Sequence, residues 1–348
     1  MNNNTTTTNA PPVLNPDFDD SIFNQHVLGL AMADPDEEEE VSGEELLNMQ
    51  VEYIPTLLDP ILQQVGLACL AGSSDTGKSS LLRQLAIAVA SGQDDFLGFP
   101  INPVHRSVIY VSTEDDKTAT GNLMSKQGSH LSAPQVRDLR FIFNFNNLPK
   151  KLDKKLSQRP ADLVIIDCYA DCFIGDLKDT QKIRQYLNVF QVLAAKHQCL
   201  FLFLHHTAKR TEDLLPSKNN LLSGQGFEGK MRIVIELRND LMNPGLKHLC
   251  IVKGNYLPQS LKRDSFVLHF DEQHLRFTNT NERVPFEDLK KRDSEKEDED
   301  RELYEQAAEL NAEGYSYSHI AGQLKISKTK VSRLFEQAKT KGWTDNSI

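Results

Sequence analysis

The sequence has one tryptophan, five cysteines and no excess of positive charge. Nowhere does it hold about 18 consecutive apolar residues, the length a helix needs to cross a bilayer, so no membrane partner is expected. No basic start followed by an apolar stretch opens the chain, so no secretory leader is expected either. The cysteines are Cys69, Cys168, Cys172, Cys199 and Cys250, and all but Cys172 sit in or directly after apolar runs. Cys168 and Cys172 flank an acidic tip with no further Cys or His at zinc spacing. They read as reduced core thiols, which suits a cytoplasmic protein. The net charge of −10 argues against wholesale coating of nucleic acid, but it leaves room for a local basic patch. The rest is an ordinary globular composition, 39% hydrophobic and 25% charged over 348 residues. That is long enough for a full-sized core and a smaller module.

Residues 1–42 are polar, proline-containing and acidic, ending in "DPDEEEEVSG", and are expected to be a disordered tail. From about 64 to 280 short apolar runs alternate with helical stretches. The runs "VGLACLAG", "SVIYVS", "LRFIFN", "DLVIID" and "CLFLFLHH" come first, and several are apolar at nearly every position, as strands covered on both faces are. Helices are expected at 78–91, about 116–128 and 178–197, giving an α/β layout with a mainly parallel central sheet. The later runs "RIVIEL", "HLCIVKG" and "SFVLHF" follow without long helices and predict an antiparallel extension. The domain expectation is a main domain over 43–285, a charged linker over 286–302 and a small all-α module over 303–348.

One stretch carries chemistry on its own. "GSSDTGKSS" runs from Gly72 through Ser73, Ser74, Asp75, Thr76, Gly77, Lys78 and Ser79 to Ser80. It completes G-x-x-x-x-G-K-[ST] between an apolar run and a helical one. Glycines let the backbone wrap phosphates with its N–H groups pointing inward. Lys78 would reach the β- and γ-phosphates, the Ser79 hydroxyl would ligate Mg²⁺, and the following helix would aim its positive end at the anion.

Further residues fit the same chemistry by order along the chain. Asp167 ends "DLVIID" and can hold Mg²⁺ together with Ser79. Glu114 follows "SVIYVST"; if that strand neighbours the loop strand, its carboxylate can polarise an attacking water. His205 and His206 end "FLFLHH", and His206 is the preferred sensor of the γ-phosphate. The pair lacks the Glu and third His of a zinc site.

Together these residues resemble the RecA-like P-loop ATPases, most closely the RepA-type hexameric helicases of plasmids and their relatives on phages and mobile elements. The stretches that carry the resemblance are "YIPTLLDPILQQVGLACLAGSSDTGKSSL", "VIYVSTEDD", "DLVIID" and "LHHTAK", within residues 52–280. The resemblance implies ATP and Mg²⁺ as ligands, hydrolysis with Glu114 as base, and a homo-oligomeric ring, usually a hexamer. It also implies a basic residue supplied in trans, for which Arg232 and Lys253 are the candidates. A loop between His206 and Arg232 would face the central hole and grip single-stranded DNA through Lys209, Arg210, Lys218 and Lys230, with Phe227 its one aromatic.

The last segment departs from that pattern. Residues 303–343 read as three helices, with Leu303, Ala307 and Leu310 inward on the first, Ile320, Ala321 and Leu324 on the second, and Val331, Leu334 and Phe335 on the third. This is helix-turn-helix spacing, resembling the resolvase and regulator type. Lys328, Thr329, Lys330, Ser332 and Arg333 would face a duplex major groove. The expected function is a DNA-associated ring ATPase, a helicase serving replication or mobilisation of a plasmid, phage or integrated element. An ATP-switched duplex-binding regulator is the alternative. A small-molecule P-loop kinase is a third reading, disfavoured because Glu114, the histidines and the tail would lack a purpose.

Overall fold

Runs that are apolar at every position become strands buried on both faces. The computed structural model describes residues 40–208, 211–222, 224–290 and 293–343. Two compact units divide the chain: one takes in the described residues up to Thr211 and Pro216–Val284, the other Glu212–Leu215 and the residues from Pro285 on.

The strands of the first unit are β1 (Thr56–Leu58), β2 (Leu62–Gln63), β3 (Gly66–Gly72), β4 (Asp95–Phe96), β5 (Phe99–Pro100), β6 (Val108–Ser112) and β7 (Leu139–Ile142). They continue with β8 (Leu163–Asp167), β9 (Leu200–His206), β10 (Ile233–Asn239), β11 (Leu246–Gly254), β12 (Asp264–Asp271) and β13 (Arg276–Pro285). Nine of them form one sheet in the order β13-β12-β11-β10-β3-β9-β8-β6-β7, while β1 with β2 and β4 with β5 form two small hairpins. From β10 to β7 the neighbours run parallel, and β11 and β12 extend the sheet antiparallel. The α/β class and the mainly parallel sheet are therefore as the sequence predicts.

Helices α1 (Gly43–Asn48), α2 (Lys78–Ser91), α3 (Lys117–Gln127), α4 (Leu148–Gln158), α5 (Tyr169–Cys172), α6 (Thr180–His197) and α7 (Gly224–Glu228) complete this unit. Strand alternation sorts the core into two layers. Ala68, Leu70, Val108, Tyr110, Leu163 and Ile165 face Leu81, Leu85 and Val89 of α2. Leu67, Cys69, Ile109, Val111, Val164 and Ile166 share the other layer with α4 and α6.

Two elements escaped the sequence reading. Helix α4, "LPKKLDKKLSQ", is mostly lysine by eye, yet Leu148, Leu152 and Leu156 at four-residue spacing are almost fully buried. Each such leucine contributes about 1.5–3 kcal/mol on burial, enough to seat a helix whose other face is cationic. Strand β13 is polar because it lies at the sheet edge and buries little besides Phe277.

The second unit holds α8 (Asp293–Ala312), α9 (Tyr317–Gln323) and α10 (Lys328–Lys341). Helix α8 runs on through position 303, where a linker was expected to give way to the first helix. Ser316 and Ser327 cap α9 and α10 by accepting from the backbone N–H groups of His319 and Lys330. Ala307, Ile320, Ala321 and Val331 form the centre of its core. No helix among the described residues is long and apolar enough to cross a membrane.

Candidate active site

Strands β3, β9, β8 and β6 end together at the carboxyl edge of the sheet, where open α/β sheets bind ligands. Gly72 lies opposite His206, and Ser112 opposite Asp167. The loop 72–80 starts at that edge and is glycine-dependent at both ends. A Cβ at Gly72 would lie 2.4 Å from the Leu237 carbonyl oxygen. Gly77 has φ +87°, and its Cβ would lie 2.8 Å from Phe277 Cζ. Between them Ser74 and Asp75 are exposed, while buried Thr76 donates its hydroxyl to the Ser73 carbonyl at 3.1 Å. Ser80 is partly buried, and its carbonyl accepts from Gln127 Nε2 at 2.8 Å. Lys78 opens α2, is buried, and its ammonium donates to the Ser73 carbonyl. Burial lowers its pKa, opposed by the charges of Asp167, Glu114 and Asp75. A buried cation with acids on one side is a fitting counter-charge for phosphate.

Asp167 is buried at the end of β8, and burial pushes its carboxyl above the ordinary range. Hydrogen bonds from Tyr110 and Ser79 work the other way, favouring the ionised form. Tyr110, itself 2% exposed, donates its hydroxyl to Asp167 Oδ2. The sequence reading missed this partner; its one signal is that alternation puts residues 110 and 112 on the sheet face that carries 165 and 167. Thr113 ties the two strand ends together, its N–H donating to the Asp167 carbonyl at 2.8 Å and its hydroxyl accepting from Cys168 N–H at 2.8 Å.

Strand β6 does not neighbour β3, contrary to the premise made for Glu114: β9 and β8 stand between them. Glu114 still joins the site because it lies past the strand end, exposed, where its charge acts on Lys78, Asp167 and His206. Asp116 accepts from Ala119 N–H at 2.7 Å and caps α3.

The two histidines point to opposite layers. His205 is fully buried, its ring 4.5 Å from Phe227 and 5.3 Å from Tyr169, and burial drops its pKa to about 3. His206 is half-buried; burial and then Lys78 lower its pKa, while Glu114 and Asp171 raise it. Lys78, Asp167, Glu114 and His206 thus share one charged cleft that also receives the Ser79 hydroxyl.

A family described as the AAA domain matches residues 35–212, more than half of the chain. The chain belongs to the AAA domain family. The fold is also found in a solved structure of another protein's ATPase domain. That structure is 13% identical, with a TM-score of 0.53, covering 68% of this chain and 96% of that one. At this identity the likeness speaks for the fold, which is that of a RecA-like P-loop ATPase.

Other predicted residues of this AAA protein lie elsewhere. Arg232 N–H donates to the Leu67 carbonyl at 2.8 Å, which puts it at the amino-terminal end of β3. Gly72 is five residues up that strand, roughly 17 Å away at strand spacing. Arg232 is exposed and its guanidinium lies 6.0 Å from the Tyr256 ring. Lys253 pairs with Val234 in the same region, and its ammonium sits 2.8 Å from Glu228 Oε1. Neither cation joins the phosphate loop of its own chain.

Among the loop cations, Lys218 pairs with Glu228 at 3.3 Å and Lys230 donates to Asn188 Oδ1. Phe227 is fully buried, so it is a core residue and not a stacking platform. The described parts of this segment are folded, with Leu222 N–H donating to the His206 carbonyl at 3.1 Å and Ala208 N–H to the Asn220 carbonyl at 2.9 Å. Buried Glu236 accepts from Ser217 N–H at 3.0 Å and Asn220 Nδ2 at 3.1 Å. Lys209 and Arg210 lie outside the described residues. In the second unit Lys328, Thr329, Ser332 and Arg333 are exposed on α10, while Lys330 is drawn to Asp300 and is less available to a ligand than its neighbours.

Proposed function

We propose that this chain is an ATP-hydrolysing, DNA-associated AAA protein that works as a homo-oligomeric ring, a RepA-like helicase in replication or mobilisation of a plasmid, phage or integrated element. The observation that carries the reading is the split of its charged groups between the two edges of one sheet. Lys78, Ser79, Asp167, Glu114 and His206 converge at the carboxyl edge, whereas Arg232 and Lys253 stand at the other. A cation that cannot reach its own loop can serve a neighbour's, so turnover would depend on assembly.

The residues present fit ATP with Mg²⁺. The loop offers a backbone cradle that tolerates no Cβ at Gly72 or Gly77 and a buried cation, and Ser79 and Asp167 supply hard oxygen donors. Mg²⁺, when bound, neutralises charge on the phosphates. Lys78 would orient and offset the terminal phosphates. Glu114 would accept the proton of the attacking water, and His206, sharing the cleft with Lys78 and Glu114, would respond to loss of the γ-phosphate. Tyr110 would hold the Asp167 carboxylate in place.

A second reading is favoured by one observation. The exposed cations of α10 suit duplex phosphates, while Lys218 and Lys230 already have partners. An ATP-switched duplex-binding regulator would need the three-helix unit as a helix-turn-helix and no strand in the ring. Glu114→Gln separates hydrolysis from binding: ATP should still bind with near-native affinity while turnover falls by about 100-fold or more. Retained turnover would remove Glu114 from the role of base.

A further inference from the structure

Three side chains far apart in sequence meet at the carboxyl edge of the sheet. The Glu114 carboxylate, the Cys168 thiol and the His206 imidazole each offer a ligand atom, and these atoms all lie within 4.8 Å of one another. They come from the ends of three different strands, so no spacing rule links them. Asp171 stands beside them, its Oδ2 3.4 Å from Cys168 Sγ and its charge felt by His206. We propose that this cluster binds a thiophilic divalent transition metal, with zinc as the first choice, at a site separate from the oxygen pair Ser79 and Asp167.

The donor set selects the metal. A thiolate, an imidazole and a carboxylate suit Zn²⁺ or Co²⁺, whereas Mg²⁺ takes oxygen donors in octahedral geometry. Tetrahedral zinc, with bonds of about 2.0–2.3 Å, needs ligand atoms roughly 3.3–3.8 Å apart. Closing from the present spacing asks for about 1 Å of movement. Glu114 is exposed and His206 half-buried, so both can give. Cys168 is the fixed point: it is 2% exposed, and its N–H is held by Thr113 Oγ1 at 2.8 Å. Asp171 or water would take the fourth position. On binding, the Cys168 S–H bond breaks, a sulfur–metal bond forms and the proton leaves to solvent; nothing is oxidised or reduced. The metal would engage Glu114 and His206 together, so it should inhibit the turnover proposed above. Binding itself does not rest on that proposal, and inhibition does.

The probe is Co²⁺ added to the full chain, read by its thiolate-to-metal charge-transfer absorption. The band should appear with wild type, disappear in Cys168→Ser and persist in Cys172→Ser. Its half-saturation should rise by more than about tenfold in His206→Ala. Zn²⁺ should displace the band and excess Mg²⁺ should not. Absence of the band, or its survival in Cys168→Ser, overturns the site. Far-UV CD reports whether Cys168→Ser folds; should it not, an unchanged titration in His206→Ala overturns the site by itself. A cobalt band in a chain that never hydrolyses ATP would sink the proposed function and leave the metal site standing.

Discussion

Replacing Tyr110 by Phe removes one hydroxyl from a fully packed position and leaves the ring in place. The hydroxyl donates to Asp167, a buried carboxylate that burial already holds above its ordinary pKa. A hydrogen bond to a charged group contributes about 1.5–3 kcal/mol net, so Tyr110→Phe should destabilise the first unit by about that amount. In a unit of this size each kcal/mol is about 2–4 °C in Tm. Far-UV CD should read the loss; the sole tryptophan, Trp343, belongs to the second unit, so its fluorescence is the wrong probe. The same bond favours the ionised carboxylate, so losing it raises the Asp167 pKa further. The ionised form is the one a cation needs, and activity falls as pH drops through that pKa. The acid limb of ATP turnover should therefore move to higher pH, and the Mg²⁺ requirement should rise by about 10–100-fold, as for other residues that orient a metal ligand. A destabilisation below about 0.5 kcal/mol with an unmoved acid limb would refute the reasoning, since that is the scatter of inert substitutions.

Gly77→Ala meets both a left-handed φ and the Phe277 ring; about 1–2 kcal/mol for the backbone plus 1–3 kcal/mol for overpacking is expected in denaturant unfolding, together with loss of nucleotide binding. A variant with native stability would show that the loop relaxes freely. His205 and His206 should separate cleanly: His205→Phe keeps an aromatic ring against Phe227 and Tyr169 and should keep turnover, whereas His206→Ala should lower kcat by about tenfold or more with ATP affinity little changed. Equal losses in the two variants, measured by steady-state ATPase, would contradict the assignment of opposite layers.

Much of the fold was legible because buried parallel strands are apolar throughout and the phosphate loop has its strand before and helix after. Strand order was not, since crossover connections leave no local trace, and Glu114 therefore reaches the cleft from two strands farther away than assumed. Helix α4 was hidden by its lysines, because periodicity and not average polarity marks an amphipathic helix. Tyr110 looked like any strand aromatic, and its bond to Asp167 depends on register between β6 and β8. The meeting of Glu114, Cys168 and His206 is likewise a product of topology. The grip on single strands in the segment after β9 comes from the resemblance alone; the described parts of that segment are folded, and Lys218 and Lys230 have local partners there.

The central claim is that hydrolysis in a ring is coupled to DNA. The direct measurement is the ATPase rate of the full chain with no DNA, with single strand and with duplex, alongside the mass of the ATP-bound assembly. A ring-sized assembly whose turnover rises several-fold with single strand is the expected result. A monomer, or turnover indifferent to single strand while duplex binds tightly, would contradict it.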